Sequence, residues 1–125
     1  MSAGDLESAR EAFSRLSHGL ATGEWEPFLE SLSDDFVFWF PMGKWKGRNE
    51  GRERAREFFA FVSSVYDTGL FVTLDRVTHE GGTTVFEFHD EGLLRGTPYA
   101  NRVAIALDAR DGKIVEYREY FGLVG

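Results

Sequence analysis

The residues best suited to chemistry lie late in the chain. Residues 113–121, KIVEYREYF, alternate so that Val115, Tyr117, Glu119 and Phe121 share one face, with Glu116, Arg118 and Tyr120 on the other. Upstream, Val103, Ile105, Leu107 and Ala109 alternate with Ala104, Ala106 and Asp108, and Asp111-Gly112 between the two runs favours a tight hairpin. A two-residue loop would set Glu119 against Ala104 and Tyr117 against Ala106, splitting the large apolar groups between the faces. A three-residue loop with Gly112 left-handed pairs Leu107 with Tyr117 and Ile105 with Glu119, and this register is expected because a one-residue slip flips every side chain. Glu119 then points inward among apolar groups. A carboxylate there is costly unless it is paired or lines a cavity. Burial would raise its pKa toward neutrality, as general acid–base work requires.

Neighbours of Glu119 supply further polar groups. Tyr99, Asn101 and Val103 share a face, which places Asn101 about one diagonal step from Glu119. Its amide could hold the carboxylate or bind a substrate carbonyl, and Tyr99 could donate a second hydrogen bond. Of His89 and Asp90 only one can face inward. Phe86 and Phe88 share the parity of Asp90, so Asp90 is expected inside and His89 outside. Each residue has a plainer reading: Glu119 as a buried acid paired with Asn101 or Arg102, Asp90 as a solvated turn residue, Tyr99 as a packing group at a rim. The expected catalytic set is Glu119, Asn101 and Asp90. The expected binding walls are Tyr99, Tyr117, Phe40, Phe38, Phe88, Phe59, Leu16 and Trp25. No metal or cofactor is expected, since His18, His79 and His89 fall on different elements at no ligand spacing.

The elements that must position these groups follow from periodicity. Leu6, Ala9, Phe13, Leu16 and Leu20 mark a helix over residues 5–22, weakened by Gly19 and stopped at Thr22-Gly23. A short helix over 24–33 has Pro27 in its first turn. Residues 35–40, DFVFWF, read as a strand with Phe36, Phe38 and Phe40 on one face. Residues 43–49 read as a loop in which Trp45 is either a lid over a pocket or a plug at a sheet edge. A third helix spans 50–65, capped by Asn49, with Ala55, Phe58, Phe59 and Val62 as its stripe. From residue 70 the period becomes two, and four strands follow as a meander. Helices segregated from an antiparallel sheet give an α+β fold. A strongly curved sheet wrapped over three helices makes a cone with an apolar interior.

Composition bounds the partners. The 125 residues suit one domain, with 28% charged and 42% apolar residues. The net charge of −7 speaks against nucleic acid. There is no cysteine, hence no disulfide framework or thiolate chemistry. The polar start carries no secretory signal and no apolar run is long enough for a membrane, so a cytoplasmic location is expected. Twelve Phe, three Trp and four Tyr supply a dense core or the walls of an apolar cavity. Small Ala104 and Ala106 beside Arg118 and Tyr120 on the outer face suggest a homodimer through the sheet.

A family resemblance rests on several short stretches. They are Ala21-Thr22-Gly23-Glu24-Trp25, Ser33-Asp34-Asp35, Trp45-Lys46-Gly47, the run from Gly96 to Arg102, and Gly112-Lys113-Ile114 with Arg118-Glu119-Tyr120-Phe121. In this order the chain resembles the nuclear transport factor two-like superfamily, in its SnoaL-like polyketide cyclase and ketosteroid isomerase-related branch. That resemblance implies a cone-shaped α+β barrel and a small-molecule pocket. The fold hosts isomerases, hydrolases, cyclases, dehydratases and binding modules, so it does not name the reaction. Similarity to ketosteroid isomerases implies polar groups where this chain has Phe40, Leu16 and Ile105. Similarity to limonene epoxide hydrolases implies carboxylates at Glu119 and Asp90 with an arginine between them, where this chain has Phe88. Two functions stay open: an acid/base enzyme on an apolar, carbonyl-bearing or polycyclic substrate, and a non-catalytic module for a small hydrophobic ligand.

Overall fold

The computed structural model describes residues 2–121. The order is α1 (Ser2–Thr22), α2 (Glu26–Glu30), β1 (Leu32–Phe40), a 3-10 turn (Gly43–Trp45), β2 (Gly47–Glu50), α3 (Arg52–Val65), β3 (Leu70–Glu80), β4 (Thr83–Leu94), β5 (Thr97–Arg110) and β6 (Lys113–Phe121). The six strands form one sheet in the order β2-β1-β6-β5-β4-β3, in which β1 and β6 are parallel and every other pair is antiparallel. The α+β cone expected from the sequence is the architecture observed, with the helices filling the concave face of the sheet.

Apolar spacing explains the packing. Ala9, Ala12, Phe13 and Leu16 lie on one stripe of α1 and are buried. The Phe13 ring stacks on Phe86 of β4 at 4.4 Å. In β1, Phe36 and Phe38 face inward, and Phe38 meets Phe58 of α3 at 5.0 Å. Gly19 serves a close approach. A Cβ there would stand 2.4 Å from the Trp25 indole, which is itself pinned by a 2.8 Å hydrogen bond from Nε1 to the Ser63 hydroxyl. The base of the cone is therefore solid aromatic packing.

Three local expectations are corrected. The loop between β5 and β6 has two residues, not three: Asp111 and Gly112 both take positive φ, 53° and 79°. The expected pairs Leu107 with Tyr117 and Ile105 with Glu119 nevertheless form, because the register shifts between Asp108 and Ala109. Ala109 pairs with Ile114 and Asp108 with Glu116, which leaves Val115 as a β-bulge. The extra residue does the work assigned to a longer turn. Second, the segment before α3 is not all loop, since Gly47–Glu50 pairs with β1. Third, Asn49 does not cap α3, whose N-cap is Gly51. Buried Asn49 instead donates to the Trp45 carbonyl (2.8 Å) and accepts from Arg54 Nε (3.1 Å), latching the 3-10 turn to the helix.

Candidate functional site

The open end of the cone is where the strands deliver polar groups. β4 brings Asp90, β5 brings Tyr99 and Asn101, β6 brings Tyr117, Glu119 and Phe121, β1 brings Phe40, and α3 brings Phe58, Phe59, Val62 and Tyr66. Asp90, Tyr99, Tyr117 and Glu119, with these aromatic and aliphatic neighbours, surround an inner chamber of about 70 Å³. A wider cavity of about 640 Å³ lies outside it, lined by Phe40, Met42, Trp45, Phe61, Leu94, Pro98, Asn101 and others, with Lys44 and Arg95 at its rim. Phe40, Phe58, Val62, Tyr66, Tyr99 and Phe121 line both spaces and form the throat between them.

Glu119 faces inward and is partly buried, receiving a 2.5 Å hydrogen bond from the Tyr117 hydroxyl. Burial pushes its pKa up to about 7, against the Tyr117 bond, with the nearby charge of Asp90 adding to the rise. Asp90 is 5% exposed, and its Oδ1 finds no hydrogen-bond partner among the described residues. Burial raises its pKa to about 6, opposed by the Asn101 backbone N–H and by His89. Two carboxyl groups thus face one chamber, and no Lys, Arg or His is among the described residues lining it. Both hold their protons to a higher pH than ordinary carboxyls do.

The sequence places some of these groups well and others poorly. Asp90 is inside and His89 outside, where His89 meets Asp75 at 3.0 Å. Asn101 sits directly opposite Asp90 rather than beside Glu119, since Glu119 pairs with Ile105 and its nearer diagonal neighbour is Val103. The Asn101 amide donates to the Tyr99 hydroxyl at 3.0 Å. Tyr99, Tyr117, Phe40, Phe88 and Phe59 line the inner chamber. Phe38, Leu16 and Trp25 line neither cavity and belong to the solid core, because a fully interdigitated aromatic cluster leaves no space beside them. Trp45 is a wall of the outer cavity, 4% exposed, under the Arg54 guanidinium at 4.1 Å from its ring centre. Tyr66 was missed. It follows α3, meets the Tyr99 ring at 5.1 Å, and has its phenol pushed above the usual value by burial and by the Tyr99 hydroxyl. The spacing Phe59, Val62, Tyr66 continues the helix stripe by steps of three and four and would have found it. Among the described residues no group of three or more His, Cys, Asp or Glu could hold a metal ion. No described helix is long and apolar enough to cross a membrane.

A six-stranded cone enclosing a small polar-tipped chamber defines a class of α+β pocket proteins. Residues 10–117 match the SnoaL-like domain, and the chain belongs to that family. It is similar to an NTF2-like protein from Anabaena variabilis, with 54% identity over 99% of this chain and 93% of that one, TM-score 0.96. A putative isomerase from Bacillus subtilis is 22% identical over 94% of this chain and 88% of its own, TM-score 0.79. A putative SnoaL-like polyketide cyclase from Jannaschia sp. is 20% identical over 96% and 86%, TM-score 0.78. The latter two share the fold. No curated protein matches the chain.

Proposed function

We propose that this chain is an acid/base enzyme of the isomerase, cyclase or hydrolase type, acting on an apolar, carbonyl-bearing or polycyclic molecule, with Glu119 as the proton-transfer group. One observation carries the reading: a carboxyl whose pKa lies at about 7 reaches a chamber that opens through an aromatic throat into a far larger apolar cavity. The inner chamber holds only a few heavy atoms, since one water occupies about 30 Å³ of liquid. The body of a polycyclic substrate therefore lies outside, with its reactive end at Glu119 and Asp90. Tyr66 and Tyr99 line the same chamber and carry the hydroxyls that would donate to a developing oxyanion. The binding-module reading is favoured by Phe88, which leaves no arginine between the two acids to activate a water. Native mass spectrometry of the purified protein tests the pocket itself. A retained apolar molecule with a carbonyl or leaving group is expected, and a protein that retains nothing and responds to no apolar ketone or quinone in a thermal-shift series would sink the reading.

The same reading includes a homodimer through the outer sheet face. Trp39, Phe71 and Tyr120 point outward from that face and are 39%, 53% and 57% exposed. Between them, Arg118 is paired to Asp108 and Glu116, so its charge is already met within one copy. Light scattering after size exclusion should give twice the chain mass, and Tyr120→Glu should shift the protein toward half of that. A clean monomer of the unaltered chain would remove this part of the proposal.

A further inference from the structure

We propose that the inner chamber seats a small alkylammonium group, the inner end of an otherwise apolar ligand, between the carboxylates of Asp90 and Glu119 and within a box of aromatic rings. The inference goes beyond the acid/base reading and does not need turnover: it holds equally for a binding module.

Three observations converge. First, two carboxyl groups face one chamber and no Lys, Arg or His is among the described residues lining it, so none of the described residues supplies a counter-charge there. Second, Asp90 is 5% exposed, lines the chamber, and keeps Oδ1 without a hydrogen-bond partner among the described residues. An unpaired buried acceptor is costly, and a ligand N–H would relieve that cost. Third, eight aromatic residues wall the chamber, including Phe40, Phe58, Phe88, Tyr66, Tyr99 and Tyr117. Ring faces attract organic cations, and such boxes suit alkylated ammonium groups better than hydrated metal ions.

Size and field give the orientation. A cavity near 150 Å³ accommodates benzene, so about 70 Å³ corresponds to roughly three heavy atoms, a methylammonium or dimethylammonium head. The described residues lining the outer cavity include Lys44 and Arg95 and no acid, so a cation is repelled at the mouth and held only at depth. The apolar body then fills the throat and the outer cavity. The overall charge of −7 raises the local concentration of cationic ligands.

The groups that face the chamber and titrate are Asp90 from β4, Glu119 and Tyr117 from β6, Tyr99 from β5 and Tyr66 from α3; the facing residues Leu20, Phe40 and Leu70 of α1, β1 and β3 are apolar. His89 lies on the outer side of β4 against Asp75. Over pH 5.5–8 the two carboxyls of the chamber, Asp90 and Glu119, lose their protons. An ammonium should therefore bind with proton release.

Calorimetry with N-methylphenethylamine, its neutral hydrocarbon analogue n-butylbenzene and the ketone 4-phenylbutan-2-one tests the idea on the intact chain. Amine affinity should rise about tenfold or more from pH 5.5 to 8, and binding at pH 6 should release protons, read from buffers of different ionisation enthalpy. Asp90→Asn, checked for folding by circular dichroism, should lower amine affinity at pH 8 about tenfold or more. If the variant does not fold, proton release by the unaltered protein decides the matter. An amine that binds no better than the hydrocarbon at pH 8, or without proton release, overturns the inference. Should the ketone bind and the amine not, the inference fails while the acid/base reading survives. Absence of binding by all three removes both.

Discussion

Glu119→Gln should lower turnover by roughly 10²–10⁴-fold while leaving ligand affinity within a few fold, once a substrate is in hand. The substitution conserves shape, and the Gln carbonyl still accepts the hydrogen bond that Tyr117 donates to Oε1. What it removes is the proton that Glu119 exchanges near pH 7. The unaltered protein should show a limb in its kcat/KM profile at about pH 7. A rising limb makes Glu119 the base and a falling limb makes it the acid. Steady-state kinetics in which the variant keeps full turnover, or a flat profile from pH 6 to 8, would refute proton transfer at this residue.

The second large effect concerns stability. Asp90 and Glu119 titrate at about 6 and about 7 in the folded chain, against ordinary values of 3.8 and 4.5. A folded form with raised carboxyl pKa values binds protons more tightly than the unfolded chain. Its stabilising contribution is complete below the unfolded values and is lost as pH rises through 6 and 7. One pKa unit corresponds to about 1.4 kcal/mol, and discounting for the mutual coupling and the partial exposure of Glu119 leaves on the order of 2–4 kcal/mol for the pair. Denaturant midpoints should therefore fall between pH 5 and pH 8. The double variant Asp90→Asn, Glu119→Gln should flatten that slope, since neither amide ionises. Asp108, held below the ordinary carboxylate value by the Arg118 and Thr83 hydrogen bonds against its burial, acts in the opposite sense, but at lower pH. A chain equally stable at both pH values would show that the two acids are better solvated than their surroundings imply.

Alternation made the inward face of the last strand legible. Tyr117, Glu119 and Phe121 share a parity, and so do Phe86, Phe88 and Asp90, so both acids could be aimed at the interior from sequence alone. Depth along a strand was harder to read. Parity says nothing about how far a residue lies from its neighbour on another strand, and Asn101 came out beside the wrong acid. An apolar stripe also does not distinguish solid from hollow. Leu16, Phe38 and Trp25 have the same pattern as Phe59 and Phe88, yet only the latter two border space. Tyr66 escaped because it stands just past the end of the helix at Val65, where the apolar stripe is no longer followed, and it adds a third phenol to the chamber lining. Asn49 looks like a cap by type, but its amide satisfies the backbone of the preceding turn, a choice set by the β1–β2 pairing that no local window contains.

The last strand is read in two different phases. Before Val115, counting from the turn at Asp111-Gly112, one parity faces the helices; after it, the other does. Pairing the same residues across the two-residue turn without that bulge would transpose the two lists without altering the chemistry of a single side chain: Arg118 and Tyr120 would enter the cone and Glu119 would stand in solvent, whereas removing Val115 itself would leave Glu119 opposite Ile105. The contents of the pocket and the exposed surface of the sheet are thereby governed by one unpaired residue. Point substitutions can tune either face alone, whereas losing the bulge at unchanged length would exchange both.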